Sequence, residues 1–466
     1  MGILAVLVLL AAGGIYCKKS GNFNFIENKI RNTAGDYPEG KIVHPKSEKK
    51  EEVSQTEHLY ENILNQCSKD FIANQPVDEN FLIWFQSEYG EESLREIADG
   101  VEEDADVNLW YELTGNSMQV LWLQYCKETG FQLELQENVY YQDGSNGEEI
   151  VLDFTGDINL AEGWSTTEFM DRQANGIFDC LSPDLILELQ NADVLMVNNE
   201  YTYSSRGYPI PGKAYTFRAS PSRVEVLQQL CVDIVSLANN HVYDYGEDAL
   251  IDTLETLENA GIPYVGAGRN LDEAKKIVYF VINGRKIAFV SATQIERSYN
   301  YTREATEDTP GVLKTLDPEK FLEVIREADR NSDYVIAFPH WGTEGTNLYG
   351  SDQKALAEAF VKAGADAVIG GHTHCLQGIS YIEDVPIIYS LGNFWFNGNT
   401  IETGVAQVRI KEDGSLRFRF LPCIQSGSRT RLLTEGGQRE EVLEFMRNLS
   451  KDVEIDQDGY VTNLAK

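Results

Sequence analysis

Positive charge is scarce in this chain. Its 39 lysines and arginines stand against 74 aspartates and glutamates, a formal net charge of −35. A nucleic-acid binder needs basic surface to neutralise phosphates, so that class is excluded and no nucleic-acid partner is expected. Cysteines are few and scattered: Cys17, Cys67, Cys126, Cys180, Cys231, Cys375 and Cys423. They form no Cys-x-x-Cys pair and their number is odd, which excludes a disulfide framework and a thiolate zinc site. The apolar stretch at residues 3–16 falls short of the roughly 20 residues that span a bilayer as a helix. No positive charge precedes it, Ile15-Tyr16 ahead of Cys17 do not suit a lipid-modified cysteine, and Val6 stands where a myristoylation signal needs Ser or Thr. Residues 1–17 are read as a signal or membrane-anchor segment, which makes the protein membrane-anchored or secreted, on the extracellular face. The competing reading is a buried N-terminal helix.

What the chain has is organisation. Residues 18–57 are polar, with Lys and Glu runs, and read as a linker. Residues 58–142 carry helical apolar spacing and predict a small, mainly helical domain, with a strand over 132–141 at its end. Its acidic run at 88–106 reads as a solvated helix face. From residue 150 to 425 strands alternate with helical segments at 222–229, 248–259, 318–328 and 353–363. Asn283-Gly284 and Asp413-Gly414 mark two hairpins. Residues 426–466 read as a tail with one short helix around 442–449. The fold class is α/β, a layered sandwich.

Five short apolar runs in the 150–425 region each stop where metal-type ligands begin. Residues 151–155 lead into Gly156-Asp157-Ile158-Asn159, and 193–197 into Asn198-Asn199-Glu200. Residues 233–237 lead into Asn239-Asn240-His241, 334–338 into His340-Trp341, and 367–369 into Gly370-Gly371-His372-Thr373-His374. Such runs read as buried parallel strands, and open α/β sheets gather ligands at the carboxyl ends of those strands. Asp157, Glu200, Asn240, His241, His340, His372 and His374 are therefore expected at one crevice. Four of the chain's six histidines fall in this set. Carboxylate, amide and imidazole together suit divalent Mn, Zn or Fe. In two-metal hydrolases, ions about 3.5–4 Å apart activate water and polarise the scissile group.

The order of these ligands resembles the calcineurin-like metallophosphatase superfamily. The finer wording is similar to the CapA family of capsule and poly-γ-glutamate synthesis proteins. It is carried by Phe154–Leu160, Val197–Glu200, Ser236–His241 with Asp244-Tyr245-Gly246, Pro339–Gly342 and Tyr389–Phe394. The resemblance implies a metallophosphatase-like fold in which Asp157 and His374 hold a first metal, Glu200 bridges, and Asn240, His340 and His372 hold a second. It implies His241 as the proton-transfer residue and Asp244 as its orienting partner. Asn159 stands where the wider superfamily has His. Counted as a ligand it is a weaker donor than imidazole, so one or two ions are expected. Arg218 is a candidate clamp for an anionic substrate, with a surface ion pair as the alternative. Asn393 is a candidate substrate contact, or holds the turn after its strand.

Three functions fit. The first is a metal-dependent hydrolase or phosphoesterase acting in surface-polymer production, on a phosphoester or an anionic polymer. The second is a polymer-binding or assembly component working with a membrane synthase. The third is a general extracellular metallophosphatase.

Overall fold

The structure is a computed structural model that describes residues 79–465, apart from 103–108, 115, 117, 130–136, 143, 145–148 and 296–299. The signal or anchor segment, the linker and residues 58–78 lie outside the described residues. Among the described residues no helix is long and apolar enough to cross a membrane.

Two β-sheets face each other, and helices cover both outer faces. Strand alternation explains the layering, because successive side chains point to opposite faces. In the ten-stranded sheet, Leu152, Phe154, Val194 and Met196 point inward. They meet Phe280, Phe289, Ile336 and Phe338 of the seven-stranded sheet in one central core. The intervening Leu195 and Val197 point outward, against Leu185 and Leu189 of the Pro183–Asn191 helix and Leu250, Leu254 and Leu257 of the Glu247–Ala260 helix. On the other side Val335, Ala337 and Val368 meet Phe321 and Ile325 of the Glu319–Asn331 helix and Phe360 of the Ser351–Ala363 helix.

The site strands are parallel. Glu149–Ile158, Val194–Asn199, Ile234–Ser236 and Tyr264–Val265 run side by side in the first sheet. Arg285–Thr293, Tyr334–His340, Ala367–Ile369 and Val385–Leu391 do so in the second. A repeated device fixes their register. Asp193, Asp233, Asp333 and Asp366 each stand just before a strand or at its threshold. Their carboxylates accept the backbone N–H of Val151, Leu195, Lys286 and Val335 at 2.7–2.8 Å. Each also donates its own N–H back to that residue's carbonyl. Both hairpins form at the expected Asn283-Gly284 and Asp413-Gly414 turns, joining Val278–Ile282 to Arg285–Thr293 and Ile401–Lys411 to Leu416–Ser426.

Two expected boundaries move. Of the strand expected over 132–141, residues 132–136 lie outside the described residues; the described strand is Val139–Gln142, which pairs in parallel with Val278–Ile282 at the edge of the seven-stranded sheet. Val139 and Tyr141 turn towards Phe81, Phe85, Trp110, Leu121 and Trp122 of the helical unit. That unit is therefore built onto the sheet edge. The expected tail at 426–466 is also integral. Val453–Ile455 and Tyr460–Asn463 extend the ten-stranded sheet, and Val442, Leu443 and Met446 of the Gly437–Leu449 helix enter the central core. Its polar composition hid those contacts. Cys126, Cys180, Cys375 and Cys423 are free thiols, whereas Cys231 is disulfide-bonded.

Candidate metal centre

The carboxyl ends of the parallel strands of both sheets meet at one rim. The Glu149–Ile158 strand carries Asp157, and its neighbour Val194–Asn199 ends one residue before Glu200. Ile234–Ser236 leads into Asn239, Asn240 and His241. From the other sheet, Tyr334–His340 ends on His340, and Ala367–Ile369 leads into His372 and His374. Close backbone approach brings the ligands together. A Cβ on Gly371 would come within 3.3 Å of Asp157 Oδ1 and 3.6 Å of His340 Nδ1, so glycine leaves the space in which the two sheets' ligands face each other. His372 and His374 both have positive φ, 97° and 59°. Strained backbone of this kind costs about 1–3 kcal/mol per residue and is typical of functional loops.

Two overlapping triads result. Ligand atoms of Glu200, His340 and His372 lie within 4.8 Å of one another, and so do those of Asp157, Glu200 and His374. Glu200 belongs to both. Around the first triad His340 Nε2 lies 2.9 Å from Asn240 Oδ1, 3.1 Å from His372 Nδ1 and 3.7 Å from Glu200 Oε1. The Asn240 oxygen, the His372 nitrogen and the Glu200 oxygen thus gather around the His340 nitrogen. Asp157 Oδ2 and Glu200 Oε1 are buried without a hydrogen-bond partner. The His374 Nδ1 lies 3.4 Å from that Asp157 oxygen but is already engaged by Asn393 Oδ1 at 2.7 Å. Orphaned carboxylate oxygens in a fully buried place are costly unless a cation satisfies them. The donor set therefore fits two divalent cations that share Glu200.

Protonation differs across the set. Burial, with Asp157 beside it, pushes the Glu200 carboxyl well above the usual range. Burial also holds the His340 and His372 imidazoles well below theirs, so both stay neutral and able to ligate. His241 is lowered by burial despite Asp244. For His374 burial acts downward, but the Asp157 carboxylate and Asn393 outweigh it and the net direction is upward.

The expected site residues do not all converge. Asp157, Glu200, Asn240, His340, His372 and His374 do. His241 stands beside them, with Nε2 3.9 Å from Glu200 Oε1 and Nδ1 2.7 Å from Asp244 Oδ2. Asn159 is the correction. Its Oδ1 accepts the Ala161 N–H at 2.8 Å, and its free buried atom is Nδ2, which has no lone pair for a cation. Arg218 has two backbone carbonyls and an aromatic ring as its partners in place of the surface ion pair that was one of its expected roles. Its guanidinium lies 4.2 Å over the Tyr245 ring and donates to the Arg206 and Gly207 carbonyls. Asn393 orients His374 rather than only holding a turn. Three residues were missed. Asn198 donates to Asp157 Oδ1 at 2.7 Å and is itself held by Asn239, at 3.0 Å. Lys213 reaches Asp244 Oδ1 at 2.6 Å. The run of three polar residues, Asn198-Asn199-Glu200, after the apolar Val194–Val197 segment gave a signal for Asn198. Nothing in the local sequence pointed to Lys213.

The fold and rim together define an α/β sandwich with a candidate two-cation centre. Residues 151–398, more than half of the chain, match the family described as "Bacterial capsule synthesis protein PGA_cap". The chain belongs to that family of bacterial capsule synthesis proteins. It is 31% identical to the capsule biosynthesis protein CapA of Bacillus anthracis, over 60% of this chain and 69% of the relative. To the PGA biosynthesis protein CapA of Bacillus subtilis (strain 168) it is 33% identical, over 58% and 70%. A probable polyglutamine synthesis accessory protein of Mycobacterium tuberculosis matches at 29% over 45% and 57%. Among solved structures, a 5'-nucleotidase from Candida albicans SC5314 matches at a TM-score of 0.35 and 14% identity, over 59% of this chain and 50% of its own, a score too low to define a fold relationship.

Proposed function

We propose that this protein is a metal-dependent hydrolase of phosphoesterase type, acting at the cell surface on an anionic polymer or phosphoester in capsule or poly-γ-glutamate production. The observation that carries this reading is the pair of ligand triads sharing Glu200, with two orphaned carboxylate oxygens facing into them. Asp157, Glu200 and His374 would hold one cation, and Glu200, Asn240, His340 and His372 the other. When bound, such ions supply Lewis acidity and an activated water.

The chain's own residues do the rest. Asn198 keeps Asp157 in place through its side-chain amide, and Asn393 fixes the His374 ring. Asp244 holds the Nδ1–H of His241, leaving Nε2 to take or give a proton at the edge of the cluster.

A second reading, a polymer-binding or assembly component of a membrane synthase, is favoured by Asn159. Its withdrawal leaves the first cation only three protein ligands. Metal analysis and turnover separate the two. Purified protein loaded with Mn, Zn or Fe should carry two equivalents and hydrolyse bis-p-nitrophenyl phosphate or poly-γ-glutamate. His241→Asn should lower kcat by about 10²–10⁴-fold with metal retained. Unchanged turnover in that variant removes His241 from the mechanism, and copurified polymer without any turnover supports the assembly role.

A further inference from the structure

Lys213 lies between the Thr202–Tyr203 and Arg218–Ala219 strands, in a segment whose neighbours are largely exposed, with Tyr208 at 88% and Tyr215 at 64%. Its own side chain is only 6% exposed. The ammonium donates to two acceptors of the loop that follows the Ile234–Ser236 strand: Asp244 Oδ1, at 2.6 Å, and the Asn240 carbonyl. Long lysine side chains normally keep the charged end in water, so this one is held inward by what it binds.

The Asp244 carboxylate is where this matters. Its Oδ2 accepts both the Phe217 N–H, at 2.6 Å, and the His241 Nδ1–H, at 2.7 Å. With its donors on one oxygen only, a carboxylate is free to rock about its terminal torsion. A third donor on Oδ1 removes that freedom and fixes the plane in which Oδ2 meets the imidazole. The second bond clamps the peptide between Asn240, a cation ligand in the present reading, and His241. Thr302 Oγ1 shares that carbonyl, at 3.0 Å.

We propose that Lys213 is a positioning residue that sets the orientation of His241 through Asp244, holding Nδ1–H inward and Nε2 towards the cation cluster. This rests on the assignment of His241 as the proton-transfer group. Its geometric part does not depend on the substrate or on the presence of turnover.

The test uses the full protein with ¹⁵N-labelled histidine, stripped of metal. The His241 Nδ1–H is expected as a slowly exchanging signal in the unaltered chain. K213M keeps the volume and removes both hydrogen bonds. It should speed exchange of that proton at least about tenfold. If K213M does not fold, K213A, whose cavity admits water, carries the same expectation. In metal-loaded protein K213M should lower kcat about 10–100-fold, with KM within about threefold and metal content unchanged. In a D244N background K213M should then cause little further fall, because Lys213 acts only through that carboxylate. A His241 Nδ1–H signal in K213M as slow as in the unaltered protein overturns the proposal, and so do losses from K213M and D244N that multiply independently. If the unaltered protein hydrolyses neither bis-p-nitrophenyl phosphate nor poly-γ-glutamate, the hydrolytic reading fails, and the exchange measurement alone decides the role of Lys213.

Discussion

Replacing Gly156 by alanine tests how the sheet packing places the first candidate cation site. Gly156 precedes Asp157 at the point where pairing of the Glu149–Ile158 strand with Val194–Asn199 shifts register. An added Cβ would stand 1.9 Å from the Gly392 carbonyl oxygen, where real Cβ atoms keep at least 3.0 Å. One backbone must therefore retreat by about 1 Å. Either retreat is harmful. One side carries Asp157, whose N–H donates to that same Gly392 oxygen at 2.9 Å. The other carries Asn393, which orients His374. Overpacking costs about 1–3 kcal/mol and a weakened buried hydrogen bond about 1 more. At about 2.1 cal/mol/K of unfolding entropy per residue, a unit of about 300 residues shifts by about 1.5 °C per kcal/mol, so the melting temperature should fall by about 3–6 °C. The larger effect is on metal. A shift of about 1 Å spoils the triad of Asp157, Glu200 and His374 and spares that of Glu200, His340 and His372. Elemental analysis of metal-loaded protein should then give one equivalent in place of two. Gly163→Ala is the control: φ is 73° with nothing within 4 Å of the added carbon, so it should cost about 1 kcal/mol and leave metal content alone. A Gly156→Ala protein that binds metal and melts like the parent would refute this account of how Asp157 is held.

Glu200→Gln should deplete both cation sites, because one carboxylate serves both triads. In chelator the same variant should melt at or above the parent, since it removes a buried acid facing Asp157; calorimetry with and without chelator checks both halves. Asp366 gives a pH signature away from the site. Burial raises its carboxyl from 3.8 to about 6, against the opposing hydrogen bond from Val335. The folded state then holds this proton more tightly than the unfolded chain. The contribution is fully present below about pH 4 and is lost as pH rises through about 6, a fall of up to roughly 3 kcal/mol. Asp366→Asn keeps an acceptor for Val335 and should flatten denaturant-measured stability between pH 4 and 6. An unchanged slope there would exclude Asp366 as its source.

The site was legible in the sequence wherever a ligand follows a buried strand directly. Asp157, Glu200, Asn240, His340, His372 and His374 all obey that rule, and strand alternation carried the layering. What the sequence concealed was side-chain direction and long-range pairing. Asn159 has the right position along its strand, yet its oxygen turns back to Ala161. Lys213 sits among Pro211, Gly212 and Tyr215 in what reads as an ordinary loop, and only the path of that loop over Asp244 gives it a partner. Val139–Gln142 and the strands after residue 450 join sheets whose other strands lie far away in sequence, so local periodicity could not assign them.

The division of the ligands between the two sheets has a mechanical consequence. Asp157, Glu200 and Asn240 belong to one layer, and His340, His372 and His374 to the other. Cations held among them would rivet the layers at a single edge, where polar groups leave apolar cohesion weakest. Stripping them should unzip the sandwich from that edge, with amide hydrogens near Asn239–Asp244 and Gly371–His374 beginning to exchange together while the centre stays closed.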